Sequence, residues 1–147
     1  MTLCAWLGGV YHPMSAQADQ RIEEVKNLFL NKDLGVWINQ YIGDNNLGHK
    51  IILTLGNDQR EWKGFIQNMN TGEKLTLEGK YHRQDLKCIL SDTSGKKWGQ
   101  MVGMYKDSIL QSEVMKQDKS SGYLLQLKQT PRTTMINSEC PPGLSYR

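Results

Sequence analysis

The chain has 147 residues, 38% of them hydrophobic and 22% charged, with a formal net charge of +3. That length suits one domain with a core of its own, and the composition is that of a globular chain rather than a disordered or fibrous one. The mild charge, carried by scattered lysines, argues against a nucleic-acid partner, and no apolar run approaches the roughly 18 residues that a membrane-spanning helix needs.

Residues 1–18 carry no Asp, Glu, Lys or Arg, hold the apolar run Leu3-Cys4-Ala5-Trp6-Leu7-Gly8-Gly9-Val10, and end in Ala16-Gln17-Ala18 before the charged Asp19. Small residues in an A-x-A pattern suit a signal peptidase, so residues 1–18 read as a signal peptide and the mature protein as periplasmic or secreted. The segment lacks a basic start, and the alternative is a plain N-terminal tail. Cleavage would remove Cys4 and leave Cys88 and Cys140, an even pair that is a candidate disulfide in an exported chain. The competing reading is two free thiols, with Cys88 a small buried hydrophobe.

Asp19 to Asn31 reads as one amphipathic helix, with Ile22, Val25, Leu28 and Phe29 on one face and Arg21, Glu23, Glu24 and Lys26 on the other. A stripe this short is expected to lie across a sheet or plug a barrel end. From Gly35 the period changes to two. Strands are predicted at 35–42, 49–56, 60–68, 73–80, 84–91, 96–105, 107–115 and 121–129, separated by turns rich in Asn, Asp and Gly.

One face carries Ile51, Leu53 and Leu55, then Trp62, Gly64 and Ile66, then Leu75, Leu77 and Gly79, then Leu86, Cys88 and Leu90. Trp98, Gln100, Val102 and Met104 follow, then Tyr123, Leu125 and Leu127. Alternation of this kind marks strands with one dry and one wet face. Proline is absent between Ser15 and Thr130, so every strand can donate a full ladder of hydrogen bonds. Gly64, Gly79, Gly99 and Gly103 lie within strands, where glycine marks bends that let a sheet coil. The fold class is therefore mainly β: an eight-stranded antiparallel up-and-down barrel with one short N-terminal helix, spanning residues 19–130. Pro131 is expected to end the last strand and 131–147 to form a polar tail.

No catalytic signature is found. The three histidines, His12, His49 and His82, have no second ligand at metal spacing, and G-x-S-x-G, P-loop, H-E-x-x-H and C-x-x-C motifs are lacking. The expectation is a protein that is not an enzyme and has no metal and no cofactor. The aromatics are more informative. Trp37, Trp62, Trp98 and Tyr123, with the polar Asn39 and Gln100, are candidate lining for a barrel that takes one small flat apolar ligand. The competing and favoured reading is that they simply fill the core. Glu113 raises the same question of an inward polar group, its register being open.

The opening Leu34-Gly35-Val36-Trp37-Ile38-Asn39-Gln40 carries a G-x-W pattern, and Leu77-Glu78-Gly79-Lys80-Tyr81 is glycine-containing strand. These segments resemble the calycin superfamily, the lipocalins and avidins. The resemblance implies one small meander barrel from about 34 to 129, binding of a small ligand, Trp37 as a barrel-floor residue and Asn39 as a polar contact. Two functions follow. One is an exported barrel holding a small apolar or amphiphilic ligand in its interior. The alternative is an interaction module, an envelope-associated subunit or inhibitor with a protein partner, whose barrel is filled and whose outside carries an exposed apolar patch or an open strand edge.

Overall fold

A computed structural model describes residues 13–29, 35–80, 82, 84–118 and 122–136. One helix, α1 (Pro13–Lys26), precedes eight strands: β1 (Val36–Asn45), β2 (Lys50–Asn57), β3 (Glu61–Asn68), β4 (Lys74–Lys80), β5 (Asp85–Ser91), β6 (Lys97–Lys106), β7 (Ile109–Lys116) and β8 (Gly122–Ile136). Each strand pairs antiparallel with its neighbour in sequence, and β8 pairs with β1, so the sheet closes into an up-and-down barrel. Among the described residues closure leaves no strand without two neighbours, which protects the sheet against pairing with other chains, although β4 and β5 pair only from Thr76–Glu78 to Ile89–Ser91.

The turns are rich in Asn, Asp and Gly as expected, but Asp107 and Ser108, expected to open a strand, form a turn instead. Asp107 and Ser108 both adopt positive φ, 54° and 67°, between the paired residues Lys106 and Ile109. That is the two-residue hairpin whose twist matches the strands it joins. Asn68 Oδ1 accepts from the backbone N–H groups of Asn70 and Thr71, and Asp92 Oδ1 from those of Ser94 and Lys96. Gly43-Asp44-Asn45, expected in the first turn, continues β1 instead. The turn begins at Asn46, and Asn45 Oδ1 ties it by accepting from the N–H groups of Leu47 and His49.

The helix starts earlier than the apolar stripe suggested. It begins at Pro13, whose fixed φ and missing N–H suit the first helical position, so Ala16-Gln17-Ala18 lies inside it. It packs on the outside of the barrel. Val25 and Phe29 sit over Gly56 of β2, close enough that a Cβ there would meet their side chains at 2.9 and 2.7 Å. Ile22, Val25 and Phe29 join Val36 and Ile38 in a small core of their own. Arg21 Nε donates to Gln67 Oε1 (3.0 Å), Glu24 pairs with Lys74 (2.5 Å), and Lys63 Nζ donates to the Leu28 carbonyl (3.3 Å). This cover explains why β2 is buried on both faces while most other strands alternate.

Two register shifts correct the reading from sequence. On β6, Leu90 pairs with Gly99 but Ser91 pairs with Lys97, so Trp98 is an extra residue opposite β5. The bulge slips the alternation by one. Gly99 and Met101 are buried and Tyr105 is half-buried, whereas Gln100, Val102 and Met104 are exposed on the outer face. The second shift lies between β1 and β8, where Asn39 faces Thr133 but Tyr41 faces Gln129. Pro131 sits in that irregularity, where its missing N–H leaves no ladder bond unmade, and β8 continues to Ile136 instead of ending.

Candidate functional site

The barrel interior is occupied by the chain's own side chains. Ile51, Leu53, Leu77, Leu90, Met101, Val114 and Leu127 are fully buried in one cluster with Trp62, and Trp98 and Tyr123 pack against it. Three of the candidate lining residues thus belong to a packed core. Trp62 is 6% exposed, and Trp98 lies at the rim with the Lys116 ammonium 5.6 Å from its ring. Gln100 is not in the lining at all, because the bulge at Trp98 turns it outward. Glu113 also faces out, between Val102 and Leu124.

Trp37 and Asn39 do share a face. They pair with Asn57 and Leu55, and Leu55 belongs to the interior cluster, so both lie on the inner side at one end of the barrel. Trp37 nevertheless keeps 42% of its surface exposed, so it stands at the mouth rather than within the packed floor. Asn39 Oδ1 accepts from Gln129 Nε2 (2.8 Å), and Gln129 Oε1 accepts from the Tyr105 hydroxyl. The Tyr105 ring meets Tyr41 edge-on, centroids 5.8 Å apart at 86°. Asn39 is therefore held in a polar chain inside the protein. The sequence reading missed Gln129 and did not connect Tyr105 with Asn39. The signal for both was the phase of β6 and β8, which the two irregularities conceal.

A broad groove lies elsewhere, on the outer wall. It encloses about 1040 Å³ across β5, β6, β7, β8 and β1. Its floor carries the exposed side chains of Val102, Met104 and Leu124, at 43%, 53% and 54% exposure. Polar and acidic residues surround them, including Asp44, Asp85 and Glu113. Ser112 and Asn45, on the inner face beneath it, are both buried, and Ser112 Oγ and Asn45 Nδ2 have no hydrogen-bond partner. A smaller depression of about 530 Å³ lies by the β8 irregularity, bounded by Ile42, Lys128 and Pro131.

Titratable chemistry is sparse. Cys88 is a free thiol at 1% exposure, and burial pushes its pKa from 9.0 up to about 12, which makes it a poor nucleophile. Its candidate disulfide partner Cys140 lies outside the described residues. Burial, with a smaller contribution from the Glu73 carboxylate, pushes the Tyr123 phenol up to about 12. His49 is half-buried, and its Nδ1 meets Asn68 Nδ2 at 3.1 Å, a contact that ties two turns together. Among the described residues, no group of three or more His, Cys, Asp or Glu is placed to hold a metal ion, and no helix is long and apolar enough to cross a membrane. Comparison with family models, curated proteins and solved structures finds no match to this chain.

Proposed function

We propose that the protein is an exported, non-enzymatic interaction module built on a filled barrel. The observation that carries this reading is the division of apolar side chains. Those facing inward pack against one another, and three exposed ones, Val102, Met104 and Leu124, lie together on the outer wall away from the helix. An interior ligand would have to displace Trp62, Met101 or their neighbours from a close-packed cluster, at a cost of several kcal/mol for each large side chain moved. An outer partner displaces only water. Kinship with the calycins is part of the proposal, supported by the closed eight-strand meander and by the Gly35-x-Trp37 opening of β1.

Native mass spectrometry of the protein purified from its own host tests this reading. The expected species are the bare polypeptide and complexes with a second polypeptide. A stoichiometric small molecule retained by the wild type and equally by Leu124→Ser would assign binding to the interior and overturn the proposal.

A further inference from the structure

We propose that the outer groove over β5–β8 and β1 docks a cationic amphipathic peptide segment of a partner protein. The inference rests on the interaction-module reading and supplies the partner's chemistry. The floor of the groove is ordered by the sheet itself. Asp85 pairs with Met104, Met104 with Gln111, Gln111 with Gln126, and Gln126 with Asp44, which makes one continuous row across five strands. The adjacent row runs Lys87, Val102, Glu113, Leu124, with Lys87 beyond the groove lining, and the Leu124 N–H donates to Asn46 Oδ1 (3.0 Å). Carboxylates thus stand at both ends of one row and in the middle of the other, with Met104, Val102 and Leu124 between them.

Charge selects the occupant. The whole chain is positive, at +3, yet the described lining holds three carboxylates and neither Lys nor Arg. Lys87, Lys106 and Lys128 occur on the same outer face but outside that lining. An apolar floor with a local charge opposite to that of the molecule favours a segment that carries Lys or Arg beside apolar side chains. Size points to a peptide. The row from Asp85 to Asp44 spans four strand intervals, about 19 Å at roughly 4.8 Å each. That length follows the curved wall half-way round the eight-strand barrel, so a short straight helix rests on part of it. A second copy of this chain is less favoured, because a two-fold interface covers this surface with itself and would gather two sets of the same three carboxylates into one interface.

The test uses the full chain and fluorescence anisotropy with a labelled amphipathic helix of Lys and Leu, about 14 residues long. A counterpart with Glu in place of Lys is the control. The Lys/Leu peptide is expected to bind saturably at one site, and the Glu/Leu peptide not to bind. The double variant Asp44→Asn with Glu113→Gln should weaken binding at least about tenfold, as should Leu124→Ser, while Gln100→Ser, on the outer face beyond the groove, leaves it unchanged. Circular dichroism of each variant separates lost binding from lost folding. Equal binding of both peptides, or binding indifferent to Leu124→Ser, overturns the docking surface. So does self-association without peptide that Leu124→Ser abolishes, since the occupant is then a second copy. These failures leave the interaction-module reading standing with another surface, whereas a retained interior ligand overturns that reading whatever the peptide does.

Discussion

Gly64 shows how far single positions constrain this barrel. A Cβ there would lie 2.0 Å from the Thr54 carbonyl oxygen and 3.0 Å from Leu55 Cα, both backbone atoms that can yield only if the strands part. Gly64→Ala is expected to cost about 3 kcal/mol in urea unfolding, and a loss below about 0.5 would show that β2 and β3 separate freely. Cys88 makes a second residue-scale prediction. Burial raises its pKa from 9.0 to about 12, so the folded state favours the neutral thiol. That contribution is complete below pH 9 and is lost as pH rises through 12, with a slope approaching about 1.4 kcal/mol per pH unit. Tyr123 adds a similar loss only from pH 10.0 upward. Stability measured from pH 9 to 10 should therefore fall in the wild type and be flatter in Cys88→Ala. Identical slopes would mean that the thiol is not buried in solution.

Among the elements, β6 carries the most information, because one extra residue at Trp98 reverses which of its side chains face inward. The resulting phase is open to a paired substitution. Met101→Gln puts an amide into the interior cluster and should cost roughly 2–4 kcal/mol, while Gln100→Leu on the outer wall should stay within about 0.5 of wild type. If Gln100→Leu were the damaging change, the bulge would be misplaced. The helix teaches the complementary lesson. Its stripe was legible as Ile22, Val25 and Phe29, and these are the residues it buries. What the stripe did not disclose was the partner, because a barrel end and an outer wall are equally apolar to a helix seen alone. Gly56 decides the matter by leaving room for Phe29 and Val25 against β2.

At the scale of the whole molecule, the proposed export can be read against the fold. Cleavage after Ala18 would shorten α1 but leave Ile22, Val25 and Phe29 in place, and it would remove the 3.5 Å hydrogen bond from Gln40 Nε2 to the Ala18 carbonyl. The exported protein is expected to begin at Asp19 and to keep the barrel's thermal transition. Intact-mass measurement of the periplasmic or secreted fraction checks this, and an uncleaved chain there would refute the cleavage site.

By itself the sequence determined the architecture. Period-two alternation, turn residues every eight to twelve positions and a proline-free stretch from Ser15 to Thr130 require a half-buried antiparallel sheet with no interrupted ladder. Those are local properties, and local physics is what a chain displays without its fold. The occupancy of the interior, the outward turn of Gln100 and the acidic apolar groove were decided only by tertiary structure. Each depends on which residues face one another across strands, and a single bulge at Trp98 or at Pro131 resets that pairing without altering the composition from which alternation is read.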